Sequence, residues 1–263
     1  MSLNECYSLT LLLLSLGYLQ SCIRNLYLFL KHPAIVNHSL SKHGLVSSKV
    51  FWLKFGYDAP GIWVLSFLKP LLALAVLWMN YQGTIPYFLP ILMILADQLG
   101  YLRYRMLPAG EAPLQRAGLV VVALHLYFKD PLISKIGFLF LSLLLGLAYL
   151  SAGWHKIKSS DWKNGDAMSI FFQSTLGAST LTHTLNQNER LRKSFSWLVI
   201  LFESAFPLSL ISPITATGFI SLGLIFHGLI SLFGGINFYF WAFIGCYPAF
   251  YYTADNLAEW LWA

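Results

Sequence analysis

Eight mostly apolar runs follow one another along this chain, the last three with almost nothing between them. They cover residues 8–30, 61–80, 86–102, 113–128, 134–154, 195–211, 213–232 and 236–252. Each is near the roughly 20 residues that a helix needs to cross a bilayer. An apolar run of that length reads as a membrane-crossing helix. The 263 residues therefore read as all-α, a polytopic bundle of about eight transmembrane helices forming a single domain over 1–263 with no soluble domain. The segment 155–194 separates the fifth run from the sixth. Its middle, 167–185, mixes Ser, Thr and Gln with apolar residues and predicts one interfacial or re-entrant helix.

Composition points the same way. Charged residues make up 11% of the chain, against about 25% in soluble domains, too few to cover a water-facing surface. Cys6, Cys22 and Cys246 lie far apart and form no CxxC, so neither a disulfide framework nor a metal knuckle is expected. His32, His38 and His43 share one loop at spacings that fit no helical metal-binding face, and no metal site is predicted. The net charge of +6 would suggest nucleic acid in a soluble protein. Here it resides in the loops. With the N-terminus outside, thirteen Lys and Arg fall on the inner side and only Lys129 and Lys135 on the outer. This positive-inside bias predicts both termini outside and no nucleic-acid partner. The first run is too long for the apolar region of a signal peptide and lacks a basic stretch before it.

Ionisable groups inside spans are costly unless paired or hydrated, so each marks a candidate site. They are Arg24, Lys69, Asp97, His125, Glu203 and His227, with Lys156 just past the fifth run. Lys69 is expected to reach an interface along its aliphatic stem, Asp97 to pair with Arg24 or Lys69, and His125, near a run's end, to touch headgroups. The fifth run is more informative. Ser142, Gly146, Tyr149, Gly153 and Lys156 are spaced 4, 3, 4 and 3 apart and share one helical face. Small residues on such a face let a helix or a flat ligand approach closely. Two readings of Lys156 stay open: an amine directed along the packed face, or an anchor at the inner interface. Gly223, His227, Ser231 and Gly234 form a similar stripe in the seventh run. In the sixth, Pro207 follows Glu203 by four residues, so the Glu203 carbonyl loses its helical donor. A hydrogen bond between Glu203 and His227 that simply holds the bundle together is the plain alternative to a site.

The stretch YLSAGWHKIKSSDWKNGDAM, 149–168, resembles the signature of the horizontally transferred transmembrane domain family, which includes the membrane part of vitamin K-dependent gamma-carboxylase. Tyr149, Ala152, Gly153, Lys156, Trp162 and Gly165 meet that signature, with one extra residue in its polar gap. Arg24, the run His43-Gly44-Leu45, Arg105 to Arg116, Glu203 with Pro207, and His227 with Ser231 follow in the family's order. In the carboxylase the lysine corresponding to Lys156 is the base that deprotonates reduced vitamin K. The resemblance thus implies a carboxylase- or oxygenase-like membrane enzyme whose cofactor is a reduced quinone or similar lipid. Lys156, Glu203 and His227 would be its catalytic residues, and Tyr149, Gly153, Trp162 and Ser231 would hold the cofactor. An ammonium group withdrawn from water gives up its proton more readily, as a base working near neutral pH requires.

Two departures limit the transfer. The position collinear with a histidine of the carboxylase is near Gln115, and no counterpart of the carboxylase's large substrate-binding domain is expected after the last run. The same family contains proteins similar to sporulation-delaying protein B, which implies the alternative of a peptide-maturation or immunity component without its own catalysis. That component would work with a peptide or soluble partner protein. Under either reading the expected location is a bacterial inner membrane.

Overall fold

The computed structural model describes residues 1–33, 59–104, 111–173, 180–234 and 237–262. Among them every regular element is helical. The chain divides into two compact units, Ser2–Gly137 and Phe138–Ala263. His38, His43, Gly44, Leu45 and Arg105 lie outside the described residues.

The first unit is built from α1 (Leu3–Lys31), α2 (Ala59–Gln82), α3 (Phe88–Tyr104) and α4 (Glu111–Phe128). Helix α1 starts at a capping box, in which Ser2 Oγ accepts from the Glu5 N–H and the Glu5 carboxylate accepts from the Ser2 N–H. Its face Tyr7, Leu11, Leu14, Tyr18 and Cys22 is buried at i, i+4, i+7, i+11 and i+15. α1 packs on α2 and α4, α2 on α3, and α3 on α4.

The expected partner of Asp97 is Lys69, whose ammonium lies 3.4 Å from the carboxylate. His125 has partners within the unit. It stacks on Tyr7 with centroids 3.8 Å apart and 5° between planes, and its Nδ1 lies 2.7 Å from the Ser134 hydroxyl. The Ser134 hydroxyl donates its one hydrogen to the Asp130 carbonyl, so His125 Nδ1–H is the donor to it.

The second unit begins inside α5 (Pro131–Lys158) and continues through α6 (Ser160–Asn164), α7 (Asp166–Gln173), α8 (Thr180–Gln187) and α9 (Glu189–Ala205). A 3-10 turn, Phe206–Ile211, leads on to α10 (Pro213–Gly234) and α11 (Asn237–Trp262). The change from α9 to 3-10 geometry falls where Pro207 removes the donor for the Glu203 carbonyl. The 3-10 turn packs on α10 and α11, which pack on each other, while α9 packs on α6 and α7. The predicted interfacial helix at 167–185 overlaps α7 and α8, and residues 174–179 between them lie outside the described residues.

Each of the eight apolar runs falls on a helix. Among the described residues, five helical stretches are long and apolar enough to cross a membrane: Leu3–Lys31, Pro60–Gln82, Pro131–Lys158, Glu189–Ile211 and Pro213–Leu232. Phe88–Leu99 and Pro113–Phe128 are apolar but shorter. Large apolar side chains such as Leu71, Leu147, Ile214 and Leu232 stand exposed along these stretches, which suits a lipid surrounding and not water.

Candidate functional site

The buried face of α5 carries the site, and the spacing read from the sequence is the spacing observed: Ser142, Gly146, Tyr149 and Gly153 are buried and Lys156 is partly buried. At its upper end Ser142 donates to the Phe138 carbonyl at 2.8 Å and lies 2.8 Å from the Thr253 hydroxyl of α11. Two polar clusters occupy the remainder.

In the first cluster, Lys156 Nζ lies 2.5 Å from Glu203 Oε2, with side chains 17% and 7% exposed. Three features of the chain bring them together. Gly153, one turn before Lys156, has no side chain, so α9 comes against α5; a Cβ at Gly153 would stand 2.7 Å from the Ser204 amide nitrogen. Glu203 lies at the end of α9, ten residues beyond Lys193, the last charge of the helix's polar start. At 1.5 Å per residue that is about 15 Å along the axis, in a stretch with no other charge. The third feature is Trp162 on α6, whose ring centroid is 4.8 Å from the Lys156 ammonium, a cation–π contact.

Trp162 is itself held in place. Its backbone carbonyl accepts a hydrogen bond from Ser196 on α9. Gly165 ends α6 in the left-handed region at φ 86°, with the Lys193 backbone so near that a Cβ would stand 2.8 Å from its nitrogen. Only glycine meets both demands. Within the stretch that carries the family resemblance, Gly153, Lys156, Trp162 and Gly165 therefore each serve one local arrangement against α9.

The second cluster surrounds Tyr149, whose hydroxyl lies 2.7 Å from His227 Nε2 on α10 and 2.7 Å from the Tyr247 hydroxyl on α11. Its ring stacks on Phe206 at 3.8 Å and meets Phe243 and Phe202 edge-on. Gly223, one turn before His227, makes room for the hydroxyl end of Tyr247. His227 is 4% exposed, and its Nδ1 has no hydrogen-bond partner. Ser231 lies one turn further along α10, half-buried.

Glu203 and His227 are thus not hydrogen-bonded to each other, contrary to the plain alternative read from sequence. Glu203 bonds the lysine and His227 the tyrosine, because α5 supplies a partner to each. The Lys156 ammonium ends on the buried Glu203 carboxylate. Sequence reasoning missed Tyr247, Phe202, Phe206 and Phe243. Gly223 was a signal that something bulky approaches α10 one turn from His227, but nothing in an aromatic-rich chain singled out Tyr247 as that group.

Five long apolar helices among the described residues, whose regular elements are all helical, together with charged groups paired inside them, fit a multi-pass membrane protein. No protein-family model, curated protein or solved structure matches the chain.

Proposed function

We propose that the chain is a membrane enzyme in which Lys156 and Glu203 move a proton to or from the polar head of a reduced quinone or similar lipid. It would cross the membrane eight times with both ends outside, and in a bacterium would lie in the inner membrane. The resemblance of residues 149–168 to the carboxylase signature gives the reaction type. The single observation that carries the reading is the 2.5 Å contact between Lys156 and Glu203 at the lower end of a buried helical face.

Burial penalises both charges, and their attraction and hydrogen bond offset the penalty. A proton between an amine and a carboxylate so close has two nearby resting places, and an acidic hydroxyl that reaches the pair has an acceptor ready. Trp162 offers a flat aromatic face beside the amine. The Ser204 hydroxyl, adjacent to Glu203, is buried with no hydrogen-bond partner, which leaves a polar atom for a ligand to satisfy. On these counts the residues present fit a flat, hydroxyl-bearing head. A bound quinol would supply the acidic hydroxyl. Lys156 would take up its proton, Glu203 would hold the resulting ammonium in position, and Trp162 would keep water from the amine.

The test is quinol turnover by purified, reconstituted protein carrying Lys156→Met or Lys156→Arg. Loss of a positioned base lowers the rate about 10²–10⁴-fold. Arginine keeps the charge but does not shed its proton near neutral pH, so both variants should be equally inactive. Turnover by Lys156→Arg at the wild-type rate would leave Lys156 no role in proton transfer.

A further inference from the structure

The buried tyrosine hydroxyls differ in what they face. Tyr7 and Tyr18 donate to the backbone carbonyls of Ser134 and Met93, and a carbonyl oxygen does not keep a proton taken from a phenol. Tyr149 faces an imidazole nitrogen, His227 Nε2, at 2.7 Å, and imidazole is a base that does. Counting hydrogens gives the direction of that bond. With a neutral imidazole the cluster holds three polar hydrogens, one each on Tyr149, Tyr247 and His227, and two hydrogen bonds. If Tyr247 donates to Tyr149 and Tyr149 donates to His227 Nε2, the sole unmet group is the His227 Nδ1–H. Reversing the chain leaves two unmet groups, the Tyr247 hydrogen and the Nδ1 lone pair. The first arrangement is the cheaper, since each buried polar group without a partner carries a penalty.

A phenol that loses an electron becomes a strong acid, and it loses the electron readily only where a base stands ready for its proton. At Tyr149 the proton has one short hydrogen bond to travel, and no heavy atom need move. The oxygen it leaves keeps the hydrogen bond from Tyr247 at 2.7 Å. The imidazolium it creates lies against the ring of Phe243, with centroids 4.5 Å apart and 30° between planes, within the range of a cation–π contact. Phe202, Phe206 and Phe243 surround the Tyr149 ring, and a phenyl ring is much harder to oxidise than a phenol. Tyr247 has no base of its own among the described residues, so the unpaired electron stays on Tyr149. Tyr149 is 2% exposed, which shields it from water and from coupling with a second radical.

We propose that Tyr149 is a redox-active tyrosine, which gives an electron to a peroxyl radical in the surrounding lipid while its phenolic proton passes to His227 Nε2. The O–H bond of Tyr149 breaks and an N–H bond forms on His227. Tyr149 is oxidised to the neutral phenoxyl radical. The peroxyl radical is reduced to the hydroperoxide anion, which takes a proton from water. Burial is compatible with this exchange, because the electron leaves through the packed rings and the phenolic proton never leaves the cluster. The activity is separate from that of Lys156 and Glu203, and its test measures neither Lys156 nor quinol turnover, so either reading can fail alone.

The test exposes purified protein in detergent to peroxyl radicals from a lipid-soluble azo initiator and freezes it for electron paramagnetic resonance. Wild-type protein should give a phenoxyl spectrum whose largest g value is lowered by the hydrogen bond to the radical oxygen. Ring-deuterated tyrosine should narrow its hyperfine structure. Tyr149→Phe and His227→Phe should each remove this signal, the first with the phenol and the second with the base. Tyr247→Phe keeps both, so the signal should remain and its largest g value should rise to that of an unbonded phenoxyl. A wild-type protein that forms no phenoxyl overturns the assignment, and so does a signal that persists in Tyr149→Phe. Where Tyr149→Phe does not fold, Tyr247→Phe decides alone: an unmoved g value or a lost signal places the radical elsewhere.

Discussion

Replacing glycine by alanine at two positions of one helix separates a filled approach from an open one. In a helix interior the change gains about 1 kcal/mol. The part that arises in the unfolded chain is the same at both positions, so any difference reports the folded surroundings. At Gly146 the new methyl meets nothing within 4 Å, and the gain is kept. At Gly153 it would stand 2.7 Å from the Ser204 nitrogen and 3.0 Å from its Cα, both backbone atoms that cannot rotate aside. Ordinary contact begins near 3.4 Å, so α9 must retreat about 0.7 Å, an overpacking that costs about 1–3 kcal/mol. The net change at Gly153 is then a loss of up to about 2 kcal/mol. At about 2–4 °C per kcal/mol for a chain of this size, Gly146→Ala should raise Tm by about 2–4 °C and Gly153→Ala should lower it by up to about 8 °C. Cys6, Cys22 and Cys246 are all buried, so a thiol-reactive fluorophore follows unfolding in detergent directly. Gly153→Ala matching or exceeding Gly146→Ala in Tm would refute the close approach of α9 to α5.

The Lys156–Glu203 pair predicts strong non-additivity. Removing either partner, by Lys156→Met or Glu203→Leu, strands the other and should cost about 3–5 kcal/mol, whereas the two changes together should recover most of it. Single losses that merely add up in the double variant, measured by the same thiol assay, would show that the two groups do not depend on each other. The Tyr149 cluster predicts a hierarchy. Tyr149→Phe strips both His227 and Tyr247 of a partner, at about 1–3 kcal/mol for each stranded group, while Tyr247→Phe leaves the Tyr149–His227 bond intact. Equal losses from the two variants would contradict that geometry.

What the sequence revealed about this chain follows from what a bilayer demands of it. The apolar runs had to be helices because lipid offers the backbone no partners, and each run falls on one. The face formed by Ser142, Gly146, Tyr149, Gly153 and Lys156 was legible for a similar reason: helical periodicity fixes which residues share a side, whatever packs there. Pro207 could be read as a break because its missing donor is a local property, and the 3-10 turn begins beside it. Partner choice was the part hidden from view. Glu203 and His227 were plausible partners only so long as the face of α5 was left out of the pairing. The pair of Asp97 with Lys69 was legible as one of two options, because an acidic group within a run needs a cation. The bond of His125 to Ser134 on α5 was not, because a helix read alone shows no acceptor on another element. Gly146 and Gly153 make the limit sharpest. Periodicity gives them the same standing, as places where a neighbour is permitted to come close. Whether a neighbour does so depends on where α9 bends and what it carries. Glycine records the permission in the sequence, and only the packed structure records that α9 used it at Gly153 and left it open at Gly146.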